Sequence, residues 1–546
     1  MHLIKLDQLT LNYGGRDIFQ GLSWAIPSAA RIGLVGPNGA GKSSLFKLLA
    51  GQVTPVAGYI TLAKGVTVGY LPQEVALPPR QRLIEAALTL PPALAEVEQT
   101  LAKLESKLAD PAIYGDEGKL TRVLDQQEQA LARYEALGGP QHHGKVRAWL
   151  TLFGFSPADD DLLTETLSGG QKKLIALIQL AMSGPSVLLL DEPDNHLDMA
   201  GKARLEKFIH QYEGAVVIIS HDRYLLDEVA QQIDELESGK LTSYPGNYSA
   251  YSRERELRRL RQQQQYVAQQ KEIARIETAI ARFELWASLV VDERHIKQAR
   301  SRRKMLERME ANGEIIEKVT ERKRMDLQLE GWRGSQLALQ AFDLSMAFDE
   351  HLIFEGLNFT LRHGERVGLV GENGAGKSVL FRLITGQYQP FDGEIRLGPS
   401  VQLSYYSQEH ERLAPWLDRT PLELIRDLAP KSEESATAFL LKFLFSYEQT
   451  RLPIRTFSGG ERSRLQLAAM MLERPNFLLL DEPTNNLDIA SVEVLEEVLE
   501  DFEGTVLVIS HDRYFLDQVV DGILELKDGC LHRYQGNYTD YAEQVR

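Results

Sequence analysis

Two stretches of the chain, GPNGAGKSS from Gly36 to Ser44 and GENGAGKSV from Gly371 to Val379, carry the residue types that hold nucleotide phosphates. In each, GxxxxGKS lies between an apolar strand-like run (RIGLV, RVGLV) and an apolar-periodic helix. Backbone N–H groups of Gly36, Asn38, Gly39, Ala40 and Gly41 can curl round phosphates at the helix N-terminus, as can those of Gly371, Asn373, Gly374, Ala375 and Gly376. Lys42 and Lys377 would neutralise the outer phosphates, while Ser43 and Ser378 ligate Mg2+. Farther along, LLLDEP occurs twice. It puts Asp191 and Asp481 at a strand end as magnesium carboxylates, and Glu192 and Glu482 follow where a carboxylate can orient and polarise attacking water. An adjacent acid pair says little alone; its fixed register from a phosphate loop makes it informative. The chemistry implied is hydrolysis of a nucleoside triphosphate with Mg2+, at two places in the chain.

The elements that must position these groups are also written twice. SVLLLDEPDNHLD returns as NFLLLDEPTNNLD, VVIISHDRYLLDEV as VLVISHDRYFLDQV, and YPGNYSAY from Tyr244 as YQGNYTDY from Tyr534. Lys42 to Gln73 and Lys377 to Gln408 are both 31 positions; Ser168 to Asp191 and Ser458 to Asp481 are both 23; Asp191 to His221 and Asp481 to His511 are both 30. Equal intervals imply one fold between fixed points. The exception is Gln73 to Ser168, 95 positions against 50 from Gln408 to Ser458, so the first copy carries 45 extra residues. Within about residues 80–145, LAEVEQTLAKLESKLAD and KLTRVLDQQEQALARYEALGG predict two helices, either a projecting arm or a pair folded onto its own domain.

The expected organisation is a first domain over 1–251, a charged helical linker over 252–333 and a second domain over 334–546. Leu260, Val267, Ile273, Ile276, Ile280 and Phe283 predict an intermittent apolar seam on one long linker helix, and Ile296, Ala299, Leu306 and Met309 on a second. The composition fits a folded multidomain protein: 546 residues, 43% hydrophobic and 25% charged. Cys530 is the only cysteine, so no internal disulfide forms, and a reducing cytoplasm is expected. The N-terminus alternates like a strand and lacks the regions of a signal peptide. No apolar run approaches the roughly 20 residues that span a bilayer, so no membrane insertion is expected.

LSGGQ from Leu167 and FSGGE from Phe457 resemble the signature loop of ATP-binding cassette (ABC) ATPases. The resemblance implies two domains stacked head to tail in a monomeric pseudo-dimer. Ser458, Gly459 and Gly460 would then close on the ATP held by Lys42, and Ser168, Gly169 and Gly170 on that held by Lys377. It also implies that Gln73 and Gln408 contact Mg2+ and water, that His221 and His511 sense the γ-phosphate, and that Tyr13 and Phe348 stack on adenine. Asp194 stands where Thr484 stands in the second copy and where family members commonly have Thr, so it could weaken or retune the first site or point to solvent. Asn195 and Asn485 lie in the loop expected to cross between halves and to couple the sites.

An α/β chain of two tandem ABC-type P-loop NTPase domains, joined by a long α-helical hairpin linker and with a helical arm inserted in the first, is similar to the ABC-F proteins. That resemblance implies a partner: the ribosome near its tRNA exit site, with the linker reaching tRNA and rRNA, in regulating translation or protecting against antibiotics. DERHIKQARSRRKM, from Asp292, then acquires a use. In a chain of net charge -16, nucleic-acid contact is expected to be local, and Arg294, Lys297, Arg300, Arg302, Arg303 and Lys304 step round more than one side of a helix. Trp286 and His295 could stack on a base. Alternatively these cations solvate a hairpin or pair with Glu307 and Glu310. Competing functions are the motor subunit of a membrane transporter and an ATP-gated assembly factor on DNA or a protein complex.

Overall fold

The computed structural model describes residues 2–545 apart from 14–15, 91, 110–116, 290–292, 313–333, 349–350, 408–409 and 486; the side chains of 13, 16, 92, 117, 287–289, 293–295 and 310 also fall outside the description. In the first half, β1 (His2–Tyr13), β2 (Arg16–Pro27) and β4 (Ala57–Leu62) form an antiparallel sheet in the order β2-β1-β4. A six-stranded sheet combines β3 (Arg31–Val35), β5 (Val68–Leu71), β6 (Val187–Asp191), β7 (Ala215–Ile219), β8 (Gln232–Glu237) and β9 (Lys240–Pro245) in the order β5-β6-β7-β3-β8-β9. Its strands are parallel except β9. Every residue of VLLLD and AVVII is buried, as expected of parallel strands covered on both faces.

The second half repeats this plan. β10 (Leu337–Phe348), β11 (His351–Arg362) and β13 (Asp392–Leu397) form the small sheet. β12 (Arg366–Val370), β14 (Leu403–Tyr406), β15 (Phe477–Asp481), β16 (Thr505–Ile509), β17 (Gly522–Lys527) and β18 (Cys530–Gln535) form the large one, in the order β14-β15-β16-β12-β17-β18. The strand order explains the sequence intervals. β6, β7 and β3 are neighbours, with Asp191 opposite Ile219 and Arg31 opposite Val216, so their carboxyl ends bring together the acid pair, the switch histidine and the phosphate loop.

Helices α1 (Lys42–Leu49), α4 (Gly169–Met182), α5 (Met199–Gln211) and α6 (Arg223–Val229) follow the phosphate loop, the signature loop, the acid-pair loop and the switch histidine. Between them, α2 (Pro92–Leu108) and α3 (Glu117–Ala136) pack on each other through Leu104, Val123 and Ala130. The long α7 (Tyr248–Leu289) and the shorter α8 (Glu293–Ala311) form the hairpin, with Ile276, Ile280, Phe283 and Ala299 buried between them. At about 1.5–3 kcal/mol per buried side chain, this small cluster carries the pairing. The expected seam is used only distally: Leu260 and Val267 are exposed. With 19 residues, α8 is about 28 Å long and reaches back only to the neighbourhood of Ile273. The base of α7 is fastened to α6, where Asp227 accepts the Ser249 backbone N–H at 2.7 Å, and to β8, where Glu235 accepts the Tyr251 hydroxyl at 2.9 Å. Equivalent helices in the second half are α9 (Lys377–Ile384), α10 (Gly459–Leu472), α11 (Ile489–Asp501) and α12 (Arg513–Val519).

Candidate functional site

The phosphate loops turn into their helices through glycine. Gly41 and Gly376 cap α1 and α9 at φ 96° and 99°, and a Cβ on either would sit 2.4 Å from Ile18 or Ile353. Only glycine satisfies both the left-handed backbone and the close approach. Lys42 Nζ donates to Gly36 O at 2.8 Å and Pro37 O at 3.2 Å, and Lys377 Nζ donates to Gly371 O and Glu372 O at 2.8 Å each, so both ammonium groups are held at the mouth of their loops. Ala40 packs against the core, and so does Ala375. Ser44 and Val379 line the cavity below.

At the strand ends, Asp191 accepts hydrogen bonds from Ser43 and, at 3.1 Å, from the Tyr70 hydroxyl; Asp481 accepts from Ser378 and, at 3.4 Å, from Tyr405. Both aspartates are buried, and among the described residues Asp191 Oδ1 and Asp481 Oδ1 have no hydrogen-bond partner. Burial raises the pKa of each, a cost that a bound cation would offset. A buried carboxylate with a spare oxygen beside a serine hydroxyl fits Mg2+, which takes one or two protein oxygens and completes its shell with phosphate and water.

Glu192 and Glu482 both adopt φ 49°, a left-handed backbone that costs a non-glycine residue on the order of 1–3 kcal/mol and aims the carboxylate away from the strand axis. In each half the histidine ring follows at the same distance, Nε2 to Oε1 being 3.5 Å for His221 and Glu192 and for His511 and Glu482. Glu192 also accepts from Gln73 Nε2 at 2.7 Å and Asn195 Nδ2 at 2.5 Å. Burial acts to raise its pKa, but His221, Lys173 and Lys42 outweigh it and hold the group below the ordinary value. Burial and the Asp481 charge instead push Glu482 up to about 8. Gln408 lies outside the described residues.

The halves meet head to tail. Asp488 caps α11 by accepting Ser491 N at 3.0 Å through Oδ1, while its Oδ2 accepts Asn38 N of the first phosphate loop at 3.3 Å. Asp198 does the converse, capping α5 at Gly201 N at 2.7 Å and accepting Asn373 N at 3.4 Å. Between them lies one cavity of about 1390 Å³, larger than the roughly 300–1,000 Å³ usual for one small-molecule site. Lys42, Lys377, Gln73, both histidines and both Ser-Gly-Gly loops line it. Ser168 and Ser458 cap α4 and α10, accepting Gln171 N at 3.2 Å and Glu461 N at 3.4 Å, so each Ser-Gly-Gly loop is also a helix N-terminus suited to phosphate. Arginines fasten the seam: Arg223 pairs with Glu496 and lies 4.0 Å over the Tyr514 ring, and Arg513 pairs with Glu206 at 3.0 Å and lies 4.6 Å over Tyr224.

Several expectations require adjustment. The crossing contacts come from Asp198, Asp488 and the His196 carbonyl, whereas the described contact of Asn195 is with Glu192 in its own half. Asp194 does not face solvent. It is buried beside Ser220 and Lys202, and burial drives its pKa to about 6. Phe348 is 40% exposed and meets Tyr388 edge-on at 5.5 Å, outside the cavity wall, while Ile18 is part of that wall; the Tyr13 side chain is outside the description. Lys202 and Arg464 also line the cavity, although no motif flags them.

On α8 the basic residues separate into two groups. Lys297, Arg300 and Lys304 are exposed on the stripe opposite Ala299 and Leu306, as three- and four-residue steps require. Arg302 and Arg303 lean back to α7, over the Phe283 ring at 4.9 Å and onto Glu284 at 2.6 Å. Glu284, rather than Glu307 or Glu310, is thus the described ionic partner of Arg303. Trp286 is exposed; the side chains of Arg294 and His295 lie outside the description.

Family comparisons agree with this geometry. The family profile described as "ABC transporter" matches residues 19–195 and 354–485, and a second profile of that description, for the family's extension, matches 235–329. Among described residues no helix is long and apolar enough to cross a membrane. The chain is 35% identical, over 97% of its length and 92% of the relative's, to the energy-dependent translational throttle protein EttA of Haemophilus influenzae. It is 31% identical, over 99% of its length and 77% of the relative's, to ABC transporter F family member 5 of Arabidopsis thaliana. The fold aligns with the archaeal ribosome recycling factor aABCE1, solved in complex with the ribosomal stalk protein aP1, at a TM-score of 0.60 and 18% identity over 98% of this chain and 92% of that one. Two profile-matched cassettes facing each other across a shared cavity, a matched extension between them and full-length relatives above 30% identity place this chain in the ABC-F subfamily of ATP-binding cassette ATPases.

Proposed function

We propose that the chain is an ATP-driven clamp acting on ribosomes during translation, with two composite sites that each convert ATP and water to ADP and phosphate. The observation that carries the clamp is reciprocal: Asn38 N is held by Asp488 and Asn373 N by Asp198, so each phosphate loop is completed by the opposite half. ATP at Lys42 would be closed over by Ser458, Gly459 and Gly460, and ATP at Lys377 by Ser168, Gly169 and Gly170. Closure therefore requires that nucleotide favour the joined state, since equal affinity for both states shifts nothing. Glu192 and Glu482 would orient water, Gln73 and Gln408 would set its place, and His221 and His511 would hold the γ-phosphate. Mg2+ bound through Asp191 with Ser43, and through Asp481 with Ser378, would supply charge neutralisation of the phosphates.

The ribosomal reading is supported by the name of the EttA relative and by the exposed Lys297, Arg300 and Lys304 stripe at the distal part of the hairpin, suited to rRNA or tRNA phosphates near the tRNA exit site. Ribosomes place the chain in the cytoplasm. The double variant Glu192→Gln/Glu482→Gln with ATP should co-sediment with tRNA-bearing ribosomes. Changing the three stripe residues to Ala should flatten the salt dependence by about two to three in log-log slope. Capture of membranes or naked DNA instead of ribosomes would refute the ribosomal reading, and wild-type phosphate release by the double variant would refute the glutamate assignment.

A further inference from the structure

At the seam, Lys202 is a charge that the pseudo-symmetry does not repeat. Lys202, four residues after Asp198, is 7% exposed and sends Nζ to Asp222 Oδ2 at 2.7 Å in its own half and to the His511 backbone oxygen at 2.8 Å in the other. The position four residues after Asp488 is Val492, whose side chain has no such donor. Asp194 belongs to the same group. It is buried, bonded to Ser220, and its Oδ1 has no partner among the described residues, whereas Thr484 takes its place in the second half. Asp194, Asp222 and Asp512 all face Lys202 electrostatically and keep it charged against burial. A buried ammonium so surrounded is fixed in position: in its own half it holds only the Asp222 side chain, whereas in the other half it holds the backbone of His511 itself.

We propose that Lys202 is a positioning residue acting in trans on the second ATP site: by holding the His511 backbone from the first half, it sets the His511 ring against Glu482 only when the halves are joined. This rests on the reading of both sites as hydrolytic. Lys202 donates to the loop rather than to nucleotide, so its loss should fall on turnover more than on ATP affinity. Asp194 then has a purpose, as the second carboxylate that balances a buried cation, and its replacement by Thr484 in the other half follows from Val492 carrying no charge.

The test swaps in the pair that the second half already uses, Lys202→Val with Asp194→Thr. Asp222 keeps its helix cap on Leu225 N, as Asp512 keeps its cap on Phe515 N. Steady-state ATPase of the full chain is measured in two parents, Glu192→Gln, which reports the second site, and Glu482→Gln, which reports the first. The parents by themselves judge whether both sites hydrolyse. The swap is judged by the difference it makes between them and by closure. In the Glu192→Gln parent the swap should lower kcat about tenfold with KM changed by less than about threefold, and in the Glu482→Gln parent kcat should stay within about twofold. Lys202→Arg, which retains a donor, should recover part of the loss. Equal loss in both parents, a rise in KM that accounts for the loss, or no loss in either would overturn the proposal. Crosslinking of a cysteine pair across the seam under ATP, in a Cys530→Ser background, should be unchanged by the swap; a parallel loss of closure would overturn it as well.

Discussion

The two candidate sites share a backbone and differ in their charges. Glu192 and Glu482 have the same φ, and each histidine stands 3.5 Å away. Around Glu192, however, Lys173 Nζ reaches the Glu192 carbonyl at 2.6 Å, and the equivalent position in the second half is Ser463. Arg464 of α10 lines the shared cavity where α4 has Leu174, and Lys202 touches the His511 loop while its counterpart in the second half is Val492. The difference teaches that duplication conserves what phosphate geometry demands and leaves the second layer free to drift. Backbone N–H groups and one lysine suffice to hold a phosphate, while the charges behind them tune how each glutamate is presented.

That comparison can be broken most directly at the glutamates. Glu192→Gln and Glu482→Gln should each lower turnover at their own site by about 10²–10⁴, as for loss of a general base. Phosphate release from the single variants decides whether the sites act independently. If they do, each variant retains the other site's rate; if either variant stops both, the shared cavity is one catalytic unit.

Next in size come the seam arginines. Arg223→Ala strands Glu496 and Arg513→Ala strands Glu206, carboxylates 11% and 16% exposed, at a cost of about 2–4 kcal/mol to the joined state. Arg223 spans both Glu496 oxygens, whereas Arg513 divides its donors between Glu206 and the Met199 carbonyl. The first variant should therefore require the higher ATP concentration for closure, read by small-angle scattering. An equal effect would mean that ring stacking on Tyr514 and Tyr224 outweighs the carboxylate geometry.

The smallest expected effect sharpens the comparison. Thr484→Asp puts a carboxylate into the half where Val492 stands in place of Lys202 and should lower thermal stability by about 2 kcal/mol. Asp194→Thr removes a carboxylate that is only one of three around Lys202 and should cost under about 1 kcal/mol. Equal melting shifts would show that Lys202 does not distinguish the halves.

Much of this was legible in the chain because the relevant chemistry is local. Gly36 to Ser43 forms one turn between β3 and α1, and Asp191 and Glu192 are adjacent, so spacing carries their geometry. The matched intervals reported the repeated sheet, since residues between fixed points on parallel strands must cross the same layers. The seam of α7 was less legible: at 3.6 residues per turn Leu260 and Val267 lie about 160–180° round the helix from Ile276, so the apolar residues expected to share one seam fall on two faces, and only the face of Ile276, Ile280 and Phe283 meets α8. The basic run similarly read as cations on several sides of a helix, because its sequence does not say that Phe283 and Glu284 on α7 recruit Arg302 and Arg303.

By itself, then, the sequence determined two phosphate-loop motifs, the adjacent acid pairs in register with them, the duplication and the helical linker, for all of these follow from neighbours along the chain or from a repeated period. Only the tertiary structure decided which aspartates grip the opposite loop, that Asp194 is buried with Lys202, and that Lys202 reaches a carbonyl 309 positions away. Such roles depend on which surfaces meet. A buried charge takes its meaning from the groups that replace its water, and those groups come from the other half of the fold.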